Sequence, residues 1–495
     1  MAEVTEIEKN DSKSLNSYRS IIKGSSFFGG VQIFNILITL VRGKFVAIIL
    51  GPEGMGISAL FNSASNTIQR FSSLGLPQSI TRNVAHENSS SIQRDLTIHT
   101  TIRLTNLTAL LGLLICAAFC VPLSRITFGD ESYWWQFIIL GLGVAFGIAG
   151  TGKLSILQGL HEIKRISKSS IIGGLTGLFI GIPLYYIFGD KGIVPSIVAI
   201  FLSLYIFYSI TLKKAYSPPI EASKKLNEFL PTAKKLLTYG IILMSGEIIA
   251  TLFGYLINLY IRYFGSVDDV GLYQAAYSVT KQFAGVIFTI LAMDYFPRLS
   301  SVASDNTKMN KIVNVQSEVV SWLMTPAMTL LILTSPLLIR ILLSDEFHPI
   351  IPLMRWMGLG MLCRAFSYPM AYITFAKGNK KVYFILEGLV ANSITLVLSC
   401  LFFKWFGLMG LGYALVVDNA LCIIIYYFVN HRLYGYKFSY NTSINYTLSA
   451  LIVGGCFVFS ILSSVALSYS LMGLMTAISL IWAFCSLKSH MKEKN

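Results

Sequence analysis

The chain has 495 residues, of which 54% are apolar and 13% charged, with a formal net charge of +15. A soluble domain carries about 25% charged residues, so this composition excludes a water-soluble monomer. The surplus of Lys and Arg does not point to a nucleic-acid partner, because in a membrane protein the placing of cations matters more than their sum.

In chain order, a polar mixed-charge segment (1–26) comes first. It lacks the basic start and small-residue cleavage pattern of a secretory signal, so the first helix is expected to stay in the protein. Apolar runs near the roughly 20 residues needed to cross hydrocarbon then predict helices at Phe27–Leu50, Gly56–Leu76, Leu104–Ile126, Trp134–Gly159, Ile171–Phe188 and Ile193–Leu212. These six form a first lobe, 27–212. A basic linker, 213–236, carries Lys213, Lys214, Lys224, Lys225, Lys234 and Lys235 with Pro218 and Pro219. A second lobe, 237–430, has helices at Leu237–Phe264, Val270–Pro297, Val313–Leu343, Ile351–Ala376, Tyr383–Phe406 and Gly410–Phe428. A terminal pair, 431–487, follows at Tyr446–Leu467 and Leu471–Leu487, and 488–495 is a tail. The expected fold is an all-α integral membrane protein of about fourteen helices.

Basic residues set orientation, since short cytoplasmic loops collect Lys and Arg. With the N-terminus inside, roughly 27 of the 39 fall in cytoplasmic segments and about 5 in external loops. Both termini are therefore expected in the cytoplasm. The two lobes also read as a repeat. Ile49 to Ser65 resembles Tyr263 to Val279, Gly159 to Leu175 faces Ala376 to Leu389, and Gly189 to Ile197 faces Phe406 to Leu415, all at a shift of about 214–217 residues. Six helices separate the copies, so they share one membrane orientation and are related by an axis along the membrane normal.

The stretches RGKFVAIILGPEGMGI, DDVGLYQAAYSV, DYFPRLS and AYITFAKGNKKVYFILEGL resemble the Wzx-type O-antigen translocases and lipid III flippases of the multidrug/oligosaccharidyl-lipid/polysaccharide exporter superfamily. The resemblance extends to about Phe428. It implies a V-shaped pair of six-helix lobes, as in multidrug exporters of that superfamily, around a cavity that opens alternately to each side. It also implies a polyprenyl-pyrophosphate-linked glycan as substrate, a bacterial inner-membrane location, membrane lipids and polysaccharide assembly proteins as partners, and a monomer. In the related lipid II flippases an extra helix pair forms a groove for the lipid tail.

An ion inside the membrane is costly to keep and marks a function by default; snorkelling from a helix end is the bland alternative. The cations Lys44, Lys281, Arg364, Arg42 and Arg70 are candidates for the cavity, with Lys44 matching the family's glycine-lysine pair, while Arg355 reads as snorkelling. Among the anions, Glu247 and Asp418 are candidates for coupling to H+ or Na+, because no sequence neighbour explains them. Asp294 is expected to pair with Arg298, and Glu387 to serve a similar structural role. The seven cysteines fall in apolar runs without a CxxC pair or nearby His, so they read as core residues, with no metal and no cofactor expected.

GIAGTGKL, Gly147 to Leu154, nearly spells a phosphate-binding loop, but no strand precedes it and its final Ser or Thr is missing. Gly173, Gly177 and Gly181 read instead as close helix packing, and Tyr185–Tyr186 and Tyr426–Tyr427 as interface anchors. The expected activity is flipping of a lipid-linked oligosaccharide by alternating access. The rivals are a cation-coupled drug antiporter, whose cavity should be acidic, and a membrane glycan polymerase or ligase, for which the external loops are too short.

Overall fold

The computed structural model describes residues 2–86, 91–216, 226–462 and 464–493, and every regular element among them is helical. The first half contains α1 (Ala2–Ser73), α2 (Leu76–His86), α3 (Ser91–Ala118), α4 (Cys120–Phe128), α5 (Trp134–Gly159), α6 (Ile163–Phe188) and α7 (Ile193–Ala215). The second contains α8 (Leu226–Phe264), α9 (Val267–Ser301), α10 (Asn306–Leu342), α11 (Ile351–Ala376), α12 (Lys380–Tyr383), a π-helical turn (Phe384–Val390) and α13 (Ala391–Tyr434). A final pair is α14 (Tyr440–Phe459) and α15 (Val465–Glu493).

Nine continuous helical stretches among the described residues are long and apolar enough to cross a membrane. Three of them hold two passes each, because the chain reverses at Gly51 inside α1, at the Gly189–Gly192 turn joining α6 to α7, and at Gly407 inside α13. With α8 and α11 packed in the same bundle, the passes number fourteen. The end of the bundle carrying Gly51, Gly189 and Gly407 is called the turn end below, and the opposite end, where α7 runs out and α8 begins, the linker end.

The helices overrun several expected boundaries. α1 begins at Ala2 inside the expected polar segment 1–26, α3 starts at Ser91 rather than Leu104, and α8 starts at Leu226 inside the expected linker 213–236. The remainder of that linker, 217–225, lies outside the described residues. Apolar composition marks where a helix meets lipid, not where its hydrogen bonding starts. The polar first turns of α3 face the protein interior: Thr97, Thr100 and Thr101 are buried, and Thr105 Oγ1 donates to the Thr101 carbonyl at 2.8 Å. The start of α10 is capped at the linker end by Asp305, whose carboxylate accepts from the Lys308 and Thr307 amides. Those amides hold the carboxyl below its usual range.

The two lobes carry the same joints. Gly189 (φ 57°, ψ −134°) and Gly407 (φ 58°, ψ −144°) take one left-handed conformation that side chains disfavour. Three residues on, a Cβ on Gly192 would lie 2.1 Å from the Leu184 carbonyl oxygen, and one on Gly410 would lie 2.0 Å from that of Phe402. A second symmetric pair joins the lobes. A Cβ on Gly56 of α1 would lie 2.0 Å from the Val267 carbonyl oxygen of α9, and a Cβ on Gly271 of α9 would lie 2.0 Å from the Pro52 carbonyl oxygen of α1. Each backbone is pressed against its counterpart through a repeat-related glycine, so the pseudo-two-fold axis passes between them at the turn end.

Packing follows the same division. At the turn end one apolar core runs through both lobes, from Phe61, Phe128 and Phe137 to Ile261, Val270 and Ala275. At the linker end it gives way to a cluster around Leu76, Ile80 and Ile156 that takes in Ala233 and Leu236 of α8, and to another around Tyr295, Met309 and Tyr426 within the second half. The glycine ladder of α6 packs on α7, with the Cβ position of Gly177 only 2.9 Å from Ile200 Cα. The tyrosine pairs are split: Tyr186 is exposed, whereas Tyr185 is buried against Ser196 Oγ at 2.6 Å and Tyr426 is buried in the second lobe. Residues 147–154 are mid-helix in α5, where Lys153 Nζ donates to Ser209 Oγ at 2.8 Å.

Gly271→Val should force the lobes apart at the turn end and cost about 1–3 kcal/mol, as overpacking does. Thermal unfolding of the purified variant in detergent should show a lowered midpoint, and an unchanged midpoint would contradict this contact.

Candidate functional site

A cavity of about 970 Å³ lies within the second lobe and against the first, at the upper end of the range for ligand pockets. Its walls are α8, α9, α11, the π-helical turn and α13, and it reaches the linker end at Phe375, Gly378 and Lys380. α9 contributes Tyr273, Tyr277 and Lys281, spaced four residues apart so that they share one face. The Tyr273 and Tyr277 rings stack with centroids 5.7 Å apart, and Lys281 Nζ sits 5.4 Å from the Tyr277 ring centroid.

Arg364, half-buried midway along α11, faces the same space and lies within electrostatic reach of Glu387. Glu387 is presented by the π-helical turn, whose widened backbone is held by Asn392 Nδ2 donating to the carbonyls of Glu387 (2.7 Å) and Gly388 (3.0 Å). Such single π turns cluster at functional sites. Asp418 of α13 is buried and accepts from Thr395 Oγ1 at 2.8 Å. Glu247 of α8 is held across the lobe boundary by Arg70 of α1, at 2.9 Å. Close by, a Cβ on Gly75 would lie 2.0 Å from the Gly240 carbonyl oxygen. Arg70, Glu247 and this glycine pair thus join the lobes toward the linker end.

The candidates from sequence divide as follows. Lys281, Arg364, Glu247, Asp418 and Glu387 line the cavity. Lys44 does not: its Nζ donates to the Ile341 carbonyl at 2.5 Å, tying α1 to α10 at the turn end, because its helix borders the second lobe there rather than the cavity. Arg42 is also off the cavity wall, and Arg70 is engaged with Glu247 rather than free. Glu247 has a partner that no local pattern reveals, since 177 residues separate the two. Asp294 and Arg298 pair at 2.7 Å. Arg355 does not snorkel; its Nη1 donates inward to the Ser460 carbonyl at 2.9 Å, binding α11 to the end of α14. Sequence reasoning missed Tyr273, Tyr277 and Gln274, although the i, i+4 spacing of the two tyrosines with Lys281 was a visible signal.

Two lobes of six passes each, pressed together at the turn end, with a cavity in the second lobe that carries charged side chains, define a V-shaped membrane transporter. The chain belongs to the polysaccharide biosynthesis protein family, whose model matches residues 45–352. It is 22% identical over 384 residues to the lipid III flippases of Escherichia coli (strain K12) and Shigella flexneri, covering 74% of this chain and 88% of each relative. Its fold is similar to that of the lipid II flippase MurJ in an inward closed conformation, with a TM-score of 0.69, 14% identity, and coverage of 94% of this chain and 99% of the other. An inward-facing multidrug resistance MATE family transporter follows at a TM-score of 0.68, 14% identity and coverage of 84% and 96%. An outward-facing MATE structure scores 0.59 at 14% identity, with coverage of 84% and 95%.

Arg70→Glu and Glu247→Arg should each reduce export by placing like charges together, and the double exchange should recover part of it. The check is outer-leaflet glycan in cells at matched protein abundance; no recovery in the exchanged variant would show that the pair does not act as a unit.

Proposed function

We propose that this protein flips a polyprenyl-pyrophosphate-linked oligosaccharide, the building unit of an O-antigen or similar surface polysaccharide, from the cytoplasmic to the outer leaflet by alternating access. The observation that carries this reading is Lys281. Glu247 is paired with Arg70, Asp418 accepts from Thr395 and Glu387 lies within electrostatic reach of Arg364, whereas Lys281 is exposed to the cavity with no acidic partner among the described residues. The cavity therefore offers an uncommitted positive charge, which suits an anionic head and disfavours a cationic drug.

A pyrophosphate cannot enter hydrocarbon bare, since moving an unpaired ion there costs tens of kcal/mol in the idealised limit. A cavity that carries Lys281, Arg364 and tyrosine side chains lets the head cross while the polyprenyl tail stays in the bilayer. With the cell interior negative, outward movement of about two charges gains on the order of 4–5 kcal/mol at 100 mV. Coupling to H+ or Na+ can add to this drive but is not required, and no other cofactor is invoked. In this reading the linker end faces the cytoplasm with both termini, in a bacterial inner membrane. The protein works as a monomer and hands its product to polysaccharide assembly proteins.

Lys281→Gln should remove most export while Lys281→Arg retains much of it, because phosphate recognition needs the charge more than the shape of the donor. Lys44→Gln should retain most export, since an amide can still donate at the turn end. Outer-leaflet glycan at matched abundance, together with the lipid-linked oligosaccharide accumulating on the cytoplasmic leaflet, reads this out. Normal export by Lys281→Gln alongside loss in Lys44→Gln would reverse the assignment.

A further inference from the structure

We propose that Tyr273 and Tyr277 form a saccharide platform that binds the first sugars next to the pyrophosphate, directing the glycan from Lys281 toward the turn end; this rests on the lipid-linked substrate proposed above. The first support is the state of the hydroxyls. Tyr295, Tyr368 and Tyr446 donate their hydroxyls to the carbonyls of Pro369, Phe288 and Phe366. Tyr273 and Tyr277 line the cavity, and their hydroxyls have no protein partner among the described residues, nor are they among the buried polar atoms left without one. They are therefore open to the cavity, free to meet a polar ligand.

The second support is geometry. The two rings stack nearly parallel, 20° apart, and an aromatic face pairs with the C–H face of a pyranose while hydroxyls around the rim bond the sugar's edge. Successive members of the Tyr273, Tyr277, Lys281 stripe are about 6 Å apart along the helix, close to one sugar unit per step. A phosphate at Lys281 places the first sugar beside Tyr277 and the second beside Tyr273. The third support is Gln274 beside them. Its Nε2 is committed to Asn258 Oδ1 at 2.7 Å, and Asn258 Nδ2 to Ser63 Oγ of the first lobe at 2.7 Å. The Gln274 carbonyl oxygen remains to accept from a sugar hydroxyl. This chain of bonds crosses from α9 through α8 to α1, so a sugar held there contacts a bridge between the lobes. Lys281 beside Tyr277 also disfavours the alternative that these rings cage an organic cation.

The test compares two probes on the full-length protein in nanodiscs by calorimetry: farnesyl pyrophosphate, and farnesyl pyrophosphate carrying a single N-acetylglucosamine. Wild type should bind the sugar-bearing probe about tenfold more tightly. Tyr277→Leu should abolish that difference while leaving farnesyl pyrophosphate affinity unchanged, Tyr277→Phe should keep most of it, and Lys281→Gln should weaken both probes. Equal affinity of wild type for the two probes overturns the platform and leaves the flippase reading intact. So does an equal loss for both probes in Tyr277→Leu, which signals a packing role, provided Tyr277→Phe shows the same loss. Binding of neither probe by wild type overturns both.

Discussion

The lobes are held together where two peptide carbonyls press on two glycines. Val267 against Gly56 and Pro52 against Gly271 bring the start of α9 and the second pass of α1 closer than any side chain permits. An apolar core spans both lobes at that end. Toward the linker end the lobes meet again through the start of α8, where Ala233 and Leu236 pack with Leu76 and Ile80, and through the Arg70–Glu247 pair and the Gly75–Gly240 approach. Rocking between two lobes needs contacts that can exchange, and the exposed ion pair on the lobe boundary is of that kind.

Charge is arranged in the same spirit. Intramembrane ions are tolerated when paired or when facing water, and the cavity uses both solutions. Arg70 pairs with Glu247 and Arg364 lies near Glu387, while Lys281 remains toward the water-accessible space. An anionic head in this cavity meets Lys281 and Lys380, neither of which has an acidic partner among the described residues, and Arg364 deeper in. The Arg70–Glu247 pair lies on the boundary between lobes, with Glu247 on the cavity wall.

Much of the architecture was legible in the sequence, because apolar length is a strong signal in membrane proteins. The fourteen passes, the repeat, the glycine packing of α6 and the pairing of Asp294 with Arg298 all depend on local pattern or fixed spacing. The cavity was legible only in part. Lys281, Arg364 and Asp418 were found because a charge in an apolar run is conspicuous. The misplacement of Lys44 and the hidden partner of Glu247 share one cause: both are settled by contacts between lobes, across 297 and 177 residues. The π-helical turn that aims Glu387 at Arg364 was invisible for another reason, since a one-residue widening of a helix leaves no compositional trace. Tyr273 and Tyr277 were overlooked because tyrosine in a membrane helix usually marks the interface.

The account stands most directly on transbilayer movement itself. Proteoliposomes are made with the purified protein and a polyprenyl-pyrophosphate-linked oligosaccharide distributed over both leaflets, and a glycosidase that cannot cross the bilayer is added outside. The account predicts that the accessible fraction rises with time from about the outer-leaflet half to nearly all of the lipid. It would be contradicted if that fraction stays at the level of protein-free vesicles while the reconstituted protein remains folded.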